Sequence, residues 1–426
     1  MVEEQTLSST PFVGGAPGYE MGLSVTAPEP WLGMGPGLAS LQPEMRVLSI
    51  LGTRPEAIKL APVITELRNR PGIVSQVVST GQHREMLHQA LDLFGIVPDY
   101  DLDLMERNQT PSRVAASVLT RLEPIFQSAQ PDWVLVQGDT TTAAAAAFAA
   151  FYAGIRVGHV EAGLRSNDKW HPFPEEINRR FTGVVADLHF APTEQARQNL
   201  LREGVSQNHV LVTGNTVIDA LRSVQSRPWD PRSLGKAGQT LETSRAKLVL
   251  VTAHRRENFG EPIIRICEAL RDLAARYGDK IRLFYPVHRN PKIWEPVHQY
   301  LGGIPNIILS PPVEYLPLVN LMRRSYLVLT DSGGIQEEAP ALGVPTLVLR
   351  EVTERPEAVA SGNVRLVGTD RQRIVTEVTR LLDDPKQHQR MSRAVNPYGD
   401  GRAAERIASA LLGESFIPFQ AALTRM

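Results

Sequence analysis

One cysteine, Cys267, stands among 426 residues. It cannot close an internal disulfide and no metal cluster can be built on it, so a reducing cytoplasm is the compartment this chain suits. Its place in the helical pattern Ile263-Ile264-Arg265-Ile266-Cys267 reads as core packing rather than catalysis. No apolar run approaches the ~20 residues needed to span a bilayer, and the most apolar stretch, Ala143 to Tyr152, is short and alanine-rich. A net charge of −1 provides no basic field to attract a phosphate backbone, which argues against nucleic acid as a partner. The sequence has neither a Walker A lysine nor G-x-G-x-x-G, which weighs against an ATPase or a dinucleotide oxidoreductase. Histidine and cysteine also lack metal-ligand spacing: His83, His159 and His171 are each isolated. No short-period repeat suggests a solenoid.

What the chain does have is alternation. With 42% hydrophobic and 21% charged residues over this length, two globular domains are expected. The first 44 residues are rich in Gly, Pro and Ser and carry Glu3 and Glu4, so they read as a disordered extension rather than a secretory signal, with Met45 as a candidate true start. Residues 45–226 predict a Rossmann-like domain with strands near 46–51, 74–79, 132–137, 156–160, 187–191 and 209–213. The helices between them carry apolar residues at helical spacing, such as Val114, Val118, Leu122 and Ile125. Residues 227–245, with Pro228, Pro231, Gly235 and Gly238, read as a linker. A second Rossmann-like domain over 246–395 has strands near 247–252, 281–287, 306–310, 326–330, 345–349 and 364–367. Residues 396–426 hold a last helix, Arg402 to Leu412, expected to pack back on the first domain. Strand–helix alternation implies doubly wound parallel sheets with right-handed crossovers, and two such halves face each other across a cleft.

Five apolar runs end on small polar or charged clusters: Gly52-Thr53-Arg54-Pro55-Glu56, Gln137-Gly138-Asp139-Thr140, Glu161-Ala162-Gly163-Leu164-Arg165, His254-Arg255-Arg256-Glu257-Asn258 and Asp331-Ser332-Gly333-Gly334. The carboxyl ends of parallel strands share one edge, and ligands bind along it, so the five clusters predict one continuous site.

Ser332, Gly333 and Gly334 leave a strand for a helix, a geometry that exposes backbone N–H groups to a phosphate; an ordinary turn is the plain alternative. Glu338, on the first turns of that helix, can accept hydrogen bonds from sugar hydroxyls. Arg54 precedes a helix started by Pro55, and Lys59 lies five residues beyond Arg54, either as ligand-facing cations or as solvated surface charges. His254 and Arg255 sit at another strand end, and His288 at a further one. Asp139 and Glu161 close consecutive strands, and Glu175 opens a helix over 177–185 after Pro172-Phe173-Pro174. Carboxylates gathered beside Arg54, Lys59, Arg165 and Arg179 suit proton transfer, or else form an ion-pair network that fixes loops.

In order from residue 52 to residue 358 stand GTRPEAIKLAP, TGQHREML, GDTTT, HVEAGLRS, PFPEEINRR, VTGNTVIDAL, TAHRREN, DSGGIQEEAP and TERPEA. The series closely resembles the non-hydrolysing bacterial UDP-N-acetylglucosamine 2-epimerases over residues 46 to about 412. The resemblance implies a GT-B-like pair of domains with the nucleotide held mainly by the second, and a homodimer. It implies reversible interconversion of UDP-GlcNAc and UDP-ManNAc, for cell-surface polysaccharide, without metal or NAD. Arg54, Lys59, Asp139, Glu161, Glu175, Arg179 and His254 match its catalytic or sugar-site positions. Ser332, Gly333, Gly334, Arg255 and Arg355 match the diphosphate site, Glu338 the ribose site, and His288 with the Tyr315–Leu318 stretch the surroundings of the uracil. Members activated by a second UDP-GlcNAc carry a glutamine three positions after the one matching Gln82 and an arginine near Gln109. Here those positions read Glu85 and Asn108, so the resemblance does not extend to that activation unless Arg107 substitutes by a one-residue shift.

The chemistry the resemblance implies is elimination. C2 of the sugar has no adjacent carbonyl, so positive charge developing at C1 as UDP departs must acidify its proton. A carboxylate then removes it to give 2-acetamidoglucal, and UDP adds back with a proton on the opposite face. Asp139 is the expected base, with Glu161 or Glu175 as its partner. A hydrolysing epimerase, an epimerase of a related UDP-2-acetamido sugar, a GT-B glycosyltransferase and a non-catalytic UDP-sugar sensor are the competing readings.

Overall fold

The fold follows from strands too apolar to leave either face in water. A computed structural model describes residues 44–81, 84–104 and 109–421. Gln82, Arg107, Asn108, the side chain of Glu85 and the extension before residue 44 lie outside the described residues. The front half runs β1 (Met45–Leu51), α1 (Arg54–Arg68), β2 (Ile73–Ser79), α2 (Arg84–Phe94), β3 (Tyr100–Asp101), α3 (Pro111–Ala129), β4 (Trp133–Gln137), α4 (Thr141–Tyr152), β5 (Arg156–Val160), α5 (Glu175–Val185), β6 (Leu188–Ala191), α6 (Glu194–Arg202), β7 (Val210–Val212) and α7 (Thr216–Gln225). After α8 (Lys236–Thr243), the rear half runs β8 (Lys247–Thr252), α9 (Glu261–Tyr277), β9 (Ile281–Pro286), α10 (Pro291–Leu301), β10 (Ile307–Ser310), α11 (Tyr315–Arg324), β11 (Leu327–Thr330), α12 (Ile335–Ala341), β12 (Thr346–Val348), α13 (Pro356–Ser361), β13 (Val364–Leu366), α14 (Arg371–Asp383) and α15 (Pro385–Ser392). The helix α16 (Ala403–Leu411) closes the series.

All strand pairs are parallel. The front sheet has the order β3-β2-β1-β4-β5-β6-β7 and the rear sheet β10-β9-β8-β11-β12-β13. Each order reverses once, between β1 and β4 in front and between β8 and β11 behind, and such a reversal opens the crevice where doubly wound sheets bind ligands. Two Rossmann-like parallel-sheet domains are therefore present, in the GT-B-like manner. Successive residues of β1 point to opposite faces: Val47 and Leu51 join one buried cluster with α1, while Leu48 and Ile50 join another with α3 and α4. Burial on both faces is what a parallel sheet requires.

The strands lie within a residue or two of their expected positions, with one omission. The two-residue β3, paired to β2 at the sheet edge, is too short to carry an apolar period. Residues 227–245 hold a short 3-10 turn, Pro231–Leu234, and α8, whose Leu241 is buried. A single apolar cluster crosses from front to rear and contains Leu221 and Val224 of α7 with Leu318 and Leu321 of α11. The closing helix α16 packs on α1 and α7 of the front half. Cys267 is buried in the rear core, where burial raises its thiol to about 12, so it stays protonated as a packing group.

Candidate active site

The turn after β1 is held by a carboxylate to which the motifs alone assigned no role. Glu56 stands at the third position of α1, three residues after Thr53, the spacing of a capping box. One of its oxygens accepts from the Gly52 N–H, the Thr53 N–H and the Thr53 hydroxyl (3.1, 2.7 and 2.7 Å), and the other from the Thr140 hydroxyl at 2.6 Å. Burial pushes Glu56 up, and these four donors oppose it. The turns after β1 and β4, which carry Arg54 and Asp139, are thereby tied together. Arg54 donates to the Val313 carbonyl of the rear half at 3.3 Å.

Lys59, one turn into α1, is ion-paired with Glu161. Burial works against its charge, and the adjacent Glu161 holds the ammonium above its ordinary value. Glu161 follows β5 in a left-handed conformation (φ 64°), uncommon for a residue with a side chain. Its carboxylate also accepts from Gln137 and lies 3.6 Å from Arg355. Lys59, Gln137 and Arg355 surround this one buried carboxylate, which ties the front cations to the rear wall.

Asp139 follows Gly138, which takes φ 71°, and pairs with Arg179 of α5 at 2.5 Å, while Asn178 donates to its backbone carbonyl at 2.9 Å. Glu175 opens α5 nearby. Burial raises its carboxyl, the negative charge of Asp139 raises it further, and its Oε2 has no hydrogen-bond partner among the described residues. Its neighbour Glu176 does a different job: it accepts from the N–H groups of Ser166 and Asn167 and pairs with Arg179 at 3.3 Å, fixing the loop before α5. Arg165 pairs with Glu203 at 2.6 Å and does not line the cleft.

On the rear wall, His254 and Arg255 follow β8, and Asp331 follows β11. The rings of His254 and His288 stack, with centroids 5.5 Å apart and planes inclined by 12°. Ser332, Gly333 and Gly334 lead into α12. A Cβ on Gly333 would lie 2.7 Å from the Arg355 guanidinium, so a side chain there would displace that group from its ion pairs. Arg355 is fully engaged, by Glu337 through Nε, by Glu354 through Nη1 at 2.7 Å and by Glu161 through Nη2. Glu337 in turn accepts from Asn215, the cap of α7, at 2.6 Å. Glu338 is buried and accepts from the Tyr315 hydroxyl at 2.6 Å.

These walls enclose one cleft of about 750 Å³. Asp139, Glu161, Glu175, Lys59, Arg179 and Arg54 line it from the front. His254, Arg255, His288, Ser332, Gly333, Gly334, Glu338 and Arg355 line it from the rear. The two topological reversals thus open toward each other. Among the described residues no group of three or more His, Cys, Asp or Glu is placed to hold a metal ion, and no helix is long and apolar enough to cross a membrane.

The family model described as UDP-N-acetylglucosamine 2-epimerase matches residues 65–412. The UDP-N-acetylglucosamine 2-epimerase of Escherichia coli K12 is 55% identical over 370 residues, covering 86% of this chain and 98% of its own. That of Bacillus subtilis strain 168 is 48% identical over 369 residues, covering 87% and 95%. The crystal structure of the Neisseria meningitidis UDP-GlcNAc 2-epimerase bound to UDP-GlcNAc superposes with a TM-score of 0.80 at 47% identity, covering 86% of this chain and 100% of that one.

Proposed function

The chain belongs to the UDP-N-acetylglucosamine 2-epimerase family, and we propose that it interconverts UDP-GlcNAc and UDP-ManNAc by inverting C2 of the sugar. The observation that carries this reading is the convergence of Asp139 and Glu175 with the basic, glycine-lined rear wall on one cleft.

In the proposed reaction the C1–O bond to the β-phosphate breaks and its electron pair leaves with UDP. Asp139 takes the C2 proton, and the C2–H pair becomes the double bond of 2-acetamidoglucal. Glu175, whose carboxyl burial and Asp139 push above its ordinary value, supplies a proton to the opposite face of C2. UDP then returns to C1. Arg179 orients Asp139 through their ion pair, and Lys59 with Glu161 fixes the floor beneath the ring. Arg255, Arg54 and the backbone of Ser332–Gly334 face the diphosphate, where preorganised donors commonly contribute more to catalysis than any other single effect. Arg355 braces the Gly333 turn. Glu338 takes the ribose hydroxyls, His288 neighbours the uracil, and His254 donates to the leaving phosphate.

Incubation of the pure protein with UDP-GlcNAc, followed by proton and phosphorus NMR, tests this directly. UDP-ManNAc is expected to grow in to an equilibrium with UDP-GlcNAc. Accumulation of free UDP with ManNAc would instead indicate a hydrolysing enzyme.

A cytoplasmic location, which the single unpaired Cys267 suits, and a homodimer complete the reading. The dimer is supported by an exposed aromatic face on the packed pair α4 and α5: Phe151 is 55% exposed, Tyr152 72%, Phe181 52% and Val184 83%, and Phe148 joins Tyr152 and Phe181 edge to face. A contiguous patch of this kind is the usual mark of a covered surface.

A further inference from the structure

Asp331 directly follows β11, is fully buried, and divides its two oxygens between two tasks. Oδ2 accepts from the His254 N–H at 2.7 Å, the Arg255 N–H at 2.7 Å and the Asn258 side-chain amide at 2.9 Å. This oxygen shapes the turn after β8. Oδ1 has no hydrogen-bond partner among the described residues and lies 3.5 Å from His254 Nδ1, at the outer limit of a hydrogen bond. A buried carboxylate oxygen left unpaired is costly, and a donor that can reach it is strongly favoured.

Resting on the reading that His254 faces the leaving phosphate, we propose that Asp331 is the positioning residue of a carboxylate–imidazole pair. It holds the His254 proton on Nδ1 and stabilises the imidazolium, so that Nε2–H meets the departing β-phosphate oxygen as a charge-assisted donor. The stacked His288 ring restricts the imidazole plane, and the Nδ1 of His288 is already occupied by the Asn290 N–H at 3.1 Å. Burial pushes His254 below its ordinary value; Asp331 is the largest opposing influence, while Arg255, His288 and Arg54 add to the depression. The negative charge of a bound diphosphate on the face opposite Asp331 works against that depression and favours the imidazolium.

Asp331→Asn separates the two tasks. The asparagine carbonyl oxygen can keep the three donors now on Oδ2, so the turn persists. The amide nitrogen then replaces Oδ1 and donates to His254 Nδ1, which reverses the tautomer and removes the counter-charge. In the full-length chain, kcat is expected to fall by about 10²-fold or more, with UDP affinity kept within a few-fold. In a His254→Gln background the same change is expected to lower kcat by no more than about threefold, because the two residues act as one unit. Nitrogen-15 NMR of labelled histidine in the wild-type UDP complex, which needs no variant to fold, is expected to find both His254 nitrogens protonated. A neutral Nε2–H ring in that complex, or effects of the two substitutions that multiply, would overturn the proposal. Full activity of His254→Gln would overturn instead the role of His254 on which it rests.

Discussion

Glu161, at the end of a front-sheet strand, lies 3.6 Å from the guanidinium of Arg355, at the start of a rear-half helix. The contact joins two charge clusters. Lys59 and Gln137 reach Glu161 from the front, and Glu337 and Glu354 hold Arg355 from behind. Glu354 is itself kept ionised despite burial by Arg355 and Arg350. The floor of the cleft is thus one alternating network that belongs to both halves.

Glu161→Gln removes the charge that Lys59 and Arg355 share. Breaking a buried pair typically costs ~3–5 kcal/mol. The urea midpoint of the full chain should fall accordingly, and kcat should fall with it. An unchanged midpoint would mean that the network does not bind the two halves.

Glu175 is expected to carry a proton at pH values where an ordinary carboxyl has lost it. Because the protonated form is the active one, kcat should decline as pH rises through its raised pKa. Glu175→Gln should lower kcat by ~10²–10⁴ with UDP binding retained. A kcat that stays flat on the alkaline side, or a nearly active glutamine variant, counts against the assignment.

The exposed face on α4 and α5 should be covered by a second copy. Phe181→Glu combined with Tyr152→Glu places charge at its centre. Light scattering is expected to give twice the 47.0 kDa chain mass for the wild type and a single chain mass for the variant. A wild-type monomer would show that the face has another purpose.

Stability at acid pH is expected to depend on His159, buried beneath the turn that carries Asp139, where it donates to the Gly138 carbonyl at 2.8 Å. Burial lowers it to about 3 in the folded protein, against 6.5 when unfolded. Between those values the unfolded chain binds the extra proton, so stability falls as pH falls from 6.5 toward 3, by up to ~3 kcal/mol at pH 4. His189, lowered to about 4, adds to this loss, whereas Asp219, raised to about 6 by burial, has the opposite sign. His159→Gln should flatten the difference in unfolding free energy between pH 7 and pH 4; an unaltered slope would refute it.

Much of this was legible in the chain itself. Apolar runs ending on polar clusters mark strand ends, and parallel strands force the ends within a sheet to one edge, so Asp139 could be placed beside Glu161, and His254 beside Ser332, from spacing alone. Glu56 was readable too, since its distance from Thr53 is that of a capping box. Other features had no local signal. The left-handed backbone of Glu161 is imposed by the turn it closes. The roles of Glu337 and Asp331 depend on neighbours more than 70 residues away, Asn215 for one and His254 for the other. The exposure of Phe181 beside Tyr152 follows from how two helices pack, and neither helix alone reveals it.

The central claim is that one cleft exchanges the C2 proton while UDP is detached. Turnover of UDP-GlcNAc in deuterated water, read by NMR and mass spectrometry, tests it most directly. One deuterium at C2 of the UDP-ManNAc formed is the predicted result; product that keeps its original hydrogen there would contradict it.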